Sequence, residues 1–192
     1  MGRPPKRVTR ASLLKHGACA AGVALVGVPA LVDAASSPEQ DARVLKLLLL
    51  VEYTESAFYA EALKRGGLKG ELREFAQHVG DHEKAHLSML KSVVEEAPAE
   101  PEHDFGDATQ NGDAFADAAA RLEDLAVAAY NGQAANVTAE VFVAAARIVS
   151  VEARHAAWIR SIAGRDPAPQ TTDEPRTEAQ VRAGLKDLGV RL

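Results

Sequence analysis

Two stretches decide the fold: Val79-Gly80-Asp81-His82-Glu83-Lys84-Ala85-His86-Leu87-Ser88-Met89-Leu90 and Ile148-Val149-Ser150-Val151-Glu152-Ala153-Arg154-His155-Ala156-Ala157-Trp158-Ile159. Each sets a glutamate, and three residues later a histidine, inside a run of apolar residues that recur every three or four positions. That period belongs to a helix with one buried face. Glu83 and His86, and likewise Glu152 and His155, lie on that face. Side chains at i and i+3 project from the same side of a helix, so each pair can clamp one metal ion.

Two other segments share the pattern. One carries Leu45, Leu48, Glu52, Ser56, Tyr59 and Leu63; the other carries Phe115, Ala119, Glu123, Ala126 and Tyr130. Glu52 and Tyr59 are seven residues apart, as are Glu123 and Tyr130, and each glutamate precedes a Glu-x2-His pair, by 31 and 29 residues. An internal repeat of this kind is what a site of near two-fold symmetry needs. All four acidic positions fall near the middle of their helices, so an antiparallel bundle brings them to one height.

The boundaries follow from local chemistry. Ser37 as N-cap, Pro38 at the first helical position and Gln40 closing a capping box start the first helix, which stops before Gly66-Gly67. The second spans roughly 70–96 and stops before Pro98. The third starts at Asp113 and ends near Asn131-Gly132, and the fourth is capped by Thr138 and ends near Gly164. Short links join the first pair and the second pair, while a polar, proline-containing link of about residues 97–112 crosses between them. The expected fold is all-α: an antiparallel four-helix bundle over residues 36–164, up-down-down-up, with one long crossover between helices 2 and 3. Residues 165–192 read as a polar tail with one candidate short helix over 177–188.

Four carboxylates on buried faces cannot stay charged without a counter-charge. Lys84, Arg121, Arg147 and Arg154 fall off the stripes. Two divalent cations balance four carboxylates, and neutral imidazoles add nitrogen donors. The mixed oxygen and nitrogen set suits iron or manganese.

The chain carries a net charge of −5. Residues 1–35 hold five basic groups and one acid, so the remainder is −9. So acidic a body is a poor nucleic-acid partner. Residues 1–35 follow the order of an export signal: a basic start, an apolar run over 17–32, and a small-residue cleavage site at Val32-Asp33-Ala34. Thr9-Arg10-Ala11-Ser12-Leu13-Leu14-Lys15 resembles a twin-arginine signal with Ala11 in place of the second arginine. The expected location is periplasmic or extracellular, or membrane-anchored if the segment is not cleaved. Cys19, the only cysteine, lies inside the signal, so the mature protein is expected to have no disulfide.

With these motifs assembled, the chain resembles the ferritin-like superfamily of di-iron carboxylate proteins over about residues 37–164. Leu122-Glu123-Asp124-Leu125-Ala126-Val127-Ala128-Ala129-Tyr130 is similar to the secreted branch related to plant desiccation proteins. The resemblance implies two iron ions (or manganese) held by Glu52, Glu83, His86, Glu123, Glu152 and His155. It implies that Tyr59 and Tyr130 hydrogen-bond ligands at a catalytic centre. It also implies oxidation of ferrous iron, or reaction with oxygen or peroxide. A homodimer is the expected assembly if Trp158 is a contact; a lone tryptophan otherwise reads as core.

Other readings stay open. The same ligands serve a protein that binds metal without turnover, in stress or desiccation protection, or a metal-free bundle with protonated glutamates. His82-Glu83-Lys84-Ala85-His86 also fits the zinc-protease pattern H-E-x-x-H. That reading needs a third ligand, for which Glu102 and His103 are the near candidates, and leaves Glu52, Glu123, Glu152 and His155 unexplained. Glu55 reads equally as a neighbour of the site or a solvated residue. His82 is placed beside the site or on the surface, and His78 on the surface.

Overall fold

A computed structural model describes residues 36–192; the readings of the export signal, the twin-arginine-like stretch and Cys19 lie outside the described residues. Pro38, which has no N–H to lose, starts α1 (Pro38–Arg65). Ser37 accepts the N–H of Gln40 at 3.2 Å. The Gln40 side chain accepts from Arg43 instead of reaching back, so only half of the expected capping box forms. α2 (Gly70–Val93) ends three residues earlier than expected. α3 (Gly112–Gln133) is capped not by Asp113 but by Asn111, whose side chain accepts the N–H groups of Asp113 and Ala114. At the start of α4 (Ala139–Ile162) Thr138 holds the cap position, but its hydroxyl donates to Asp41 at 2.6 Å, tying α4 to the start of α1.

The direction of each helix follows from two pairs of contacts. Tyr59 of α1 meets Glu123 of α3, while Tyr130 of α3 meets Glu52 of α1, so these helices run antiparallel. Phe75 of α2 packs on Trp158 of α4 while His86 meets Glu152, so this pair is antiparallel too. With short links joining α1 to α2 and α3 to α4, the order is up-down-down-up. Residues 94–111 form the long crossover.

The crossover and the tail differ from a purely helical reading. Glu102–His103 (β1) pairs antiparallel with Val190–Arg191 (β2), a short ladder between segments too distant in sequence to announce it. The tail forms α5 (Glu178–Asp187), started by a complete Thr177/Gln180 capping box. It is not wholly polar in effect, because Val181, Leu185 and Val190 are buried in the core. Gly132 shows how closely the tail docks. A Cβ there would lie 1.9 Å from the carbonyl oxygen of Arg176, whose N–H donates to Ala128. Gly132, the last residue but one of α3 and thus at the expected end of that helix, admits another backbone.

Two apolar clusters fill the bundle, and they divide along α1. Val44, Leu45 and the run from Leu47 to Val51 belong to one, with Leu90, Ala126 and Ile148; Phe58, Tyr59 and Ala62 belong to the other, with Phe75, Phe115 and Ile159. Glu52 and Glu55 lie between them. Each fully buried apolar side chain contributes on the order of 2 kcal/mol, and this packing above and below supports the burial of charge between. Gly80 of α2 lets α1 approach closely, since a Cβ there would sit 3.0 Å from the Tyr59 Cβ. That approach sets the depth of Tyr59. Among the described residues no helix is long and apolar enough to cross a membrane.

Candidate metal centre

Each helix of the bundle brings its acidic position to the same level. Glu52 and Glu55 of α1, Glu83 of α2, Glu123 of α3 and Glu152 of α4 are all 0 % exposed. The His155 side chain is nearly as buried, and that of His86 is 12 % exposed. No lysine or arginine reaches them among the described residues: Lys84, Arg121, Arg147 and Arg154 are all exposed.

The geometry repeats about a near two-fold. The Nδ1 of His86 lies 3.1 Å from Glu83 Oε2, 2.8 Å from Glu152 Oε1 and 3.6 Å from Glu52 Oε2. The Nδ1 of His155 lies 3.0 Å from Glu83 Oε1, 3.3 Å from Glu152 Oε2 and 3.4 Å from Glu123 Oε2. Glu83 and Glu152 thus turn one oxygen toward each histidine, and Glu52 and Glu123 serve one side each. The tyrosines work crosswise. Tyr130 donates to Glu52 Oε1 at 2.5 Å, and Tyr59 donates to Glu123 Oε1. Each of these carboxylates is therefore anchored by one oxygen and turns the other inward.

The inward oxygens lack partners. Glu52 Oε2, Glu83 Oε1, Glu123 Oε2, Glu152 Oε1 and both oxygens of Glu55 accept no hydrogen bond. Buried acceptors are seldom left so in a folded protein. Their donor atoms form two groups whose members all lie within 4.8 Å of one another: Glu52, Glu83, His86 and Glu152, and Glu83, Glu123, Glu152 and His155. A small divalent cation bonded at about 2.1 Å holds opposite ligands roughly 4.2 Å apart, so little contraction is needed. The residues fit a pair of metal ions, with Glu83 and Glu152 common to both positions.

Without a cation the cluster must retain protons. Burial, then the charges of Glu152 and Glu83, push Glu52 well above the usual carboxylate range. Glu55 is raised by burial and by all four neighbouring carboxylates. Burial lifts Glu123 to about 8 despite the adjacent imidazole of His155. Burial acts against the charged imidazoles, yet the carboxylates of Glu152 and Glu83 raise His86 to about 10, and those of Glu123, Glu152 and Glu83 raise His155 to about 12. Glu152 is the exception: burial would raise it, but the imidazoles of His155 and His86 beside it hold it below its ordinary value. Burial and the adjacent carboxylates hold Tyr59 and Tyr130 well above the ordinary phenol range.

All six expected ligands and both tyrosines therefore converge. Glu55 joins them as a further carboxylate, displacing the expected stripe residue Ser56, which is only half-buried. Helical period cannot choose between the two, because α1 is buried on every side from Leu47 to Glu55. His82 lies beside the centre, its Nδ1 2.9 Å from His155 Nε2. That contact leaves Nδ1 of His155 to face the carboxylates, and orienting a ligand imidazole through its second nitrogen is a common supporting role. His82 belongs to neither ligand group, and Glu83 is sealed among carboxylates, so the H-E-x-x-H arrangement does not assemble around a single cation.

No curated protein matches the chain. The family model of the ferritin-like domain matches residues 40–165, which include every residue of the centre. The chain belongs to the ferritin-like domain family.

Proposed function

We propose that the protein binds two ions of iron or manganese in the bundle core and oxidises ferrous iron, with oxygen or peroxide as acceptor. The observation that carries this is the pair of ligand groups sharing Glu83 and Glu152, with their inward oxygens unpartnered. When bound, such ions supply Lewis acidity and one-electron redox capacity. The chain's own residues do the rest. Glu52 and Glu123, each fixed by a tyrosine, hold the outer positions; Glu83 and Glu152 span both; the apolar clusters exclude bulk water. Two ferrous substrates held side by side let one peroxide take an electron from each and, with two protons, leave as two waters. Tyr59 and Tyr130, bonded to ligand oxygens, are the nearest phenols able to respond to a change of charge there.

The test is anaerobic loading with ferrous iron followed by oxygen or peroxide. The expected outcome is about two ions per chain and oxidation faster than that of free iron. Stoichiometric binding with no consumption of either oxidant would replace oxidation by the binding-only, stress-protective role.

We also propose that the protein is exported, on the basic start, apolar run and small-residue site of residues 1–35. Mass analysis of protein from the producing cell should show an N-terminus next to Ala34. An intact N-terminus in the membrane fraction would instead mean an anchor.

A further inference from the structure

The centre is sealed by apolar packing on most sides, but one opening reaches it. A cavity of about 500 Å³ between α2 and α4 has His86 and His155 in its wall together with His78, His82, Arg154 and Trp158. A ligand-type side chain recurs at every fourth position of α2: Glu74, His78, His82 and His86. Residues four apart stack on one stripe, each about 6 Å further along the axis. The stripe runs from solvent inward. His78 is exposed, His82 and His86 are half-buried, and His155 is 3 % exposed. The rings are close enough to hand over a ligand: 4.5 Å between the centroids of His78 and His82, 5.1 Å from His82 to His155 and 6.5 Å from His82 to His86. Trp158 packs edge-on against His78 at 5.7 Å and steadies its ring.

We propose that His78 and His82 form an uptake route for divalent first-row cations, a transient binding site through which an ion passes from solvent to the buried centre. This rests on the reading of that centre as a metal site. A hydrated cation cannot enter a cavity of carboxylates without shedding its water, and imidazoles replace those waters one at a time. Histidines four apart on a helix face one cation together, as in helical metal motifs. His82 offers Nε2 to the cavity, because its Nδ1 is held by His155. Arg154 on the rim works against cation capture, so the histidines must act as ligands; a merely attractive field would not suffice.

The test follows anaerobic cobalt(II) uptake by the full protein in stopped flow, with the endpoint measured separately. His78 touches no residue of the centre. His78→Ala should slow uptake about tenfold, at the lower end of what local enrichment of an ion adds to an association rate. Its endpoint should remain that of the unaltered protein. His78→Glu, which keeps a ligand, should load at the original rate. Uptake by His78→Ala at the original rate would overturn the route, and so would equal slowing in both variants. Absence of cobalt from the unaltered protein at equilibrium would instead remove the metal centre itself, and the route with it.

Discussion

Glu83→Ala should empty the centre of both metal ions. The spacing of the two Glu-x2-His pairs assigns one ion to each, so that losing Glu83 or Glu152 would cost one. The geometry changes that expectation. Glu83 turns Oε2 toward His86 and Oε1 toward His155, and it belongs to both ligand groups, as does Glu152. Removing either takes a donor from each position and leaves the other shared carboxylate as an uncompensated charge between them. Glu52 and Glu123 are the controls, because each belongs to one group only. Glu52→Ala and Glu123→Ala should each lose about one ion, and Glu83→Ala and Glu152→Ala about two, since loss of a ligand weakens metal affinity by orders of magnitude. Metal analysis of the purified variants reads this directly, and Glu83→Gln checks that a fold failure is not the cause. One ion retained by Glu83→Ala would mean that it serves one side only. Two ions retained by both Glu83→Ala and Glu152→Ala would remove the assignment altogether.

Chelation should destabilise the protein strongly at pH 8 and much less at pH 5. An ion present at about a thousand times its dissociation constant adds roughly 4 kcal/mol, and 1 kcal/mol moves the midpoint of a domain this size by about 2–4 °C. Loss of metal should therefore lower the midpoint at pH 8 by on the order of 10 °C or more. The pH dependence has a definite sign. Glu52, Glu55 and Glu123 titrate in the folded state above the 4.5 of an ordinary glutamate, with Glu123 at about 8. The metal-free fold therefore holds protons that the unfolded chain has released. That contribution is complete below pH 4.5 and is lost as the pH rises through the folded values. His86 and His155, raised from 6.5 to about 10 and about 12, act with the same sign at higher pH. Each retained proton lowers stability by about 1.4 kcal/mol per pH unit across its window. Glu152 acts oppositely and loses its contribution below pH 4.5, and so do His82 and His103, which burial holds below 6.5 and whose opposing contribution is complete above that pH. Thermal unfolding of chelator-treated protein from pH 5 to 9 should show a steady fall in midpoint. A midpoint that rises over that range would mean that the carboxylates are not buried together.

The convergence of the six candidate ligands could be read from the chain because each of them obeys a rule internal to its own helix. Glu83 and His86, or Glu152 and His155, share a side by spacing alone, and the apolar residues around them mark that side as buried. The long link between two short ones likewise settles the order of the helices. What lay beyond that reading depends on contacts between helices. Glu55 and Ser56 are neighbours, and whether α1 turns one or the other inward depends on its rotation against α2, set in part by Gly80 against Tyr59. The crosswise tyrosines have the same origin: Tyr59 pairs with Glu123 and not with the glutamate of its own repeat.

The tail shows the limit most clearly. Val181, Leu185 and Val190 are sparse apolar residues in a polar stretch, and nothing within that stretch announces that they cover α1 and α3. Residue types and helical period sufficed to name the candidate donors that converge and the side of each helix they occupy, because a side chain's direction about its own axis is local. Packing alone settled which carboxylates belong to both candidate ligand groups, which extra carboxylate joins them and which face stays open through His82. Those depend on distances across helices that no single segment encodes.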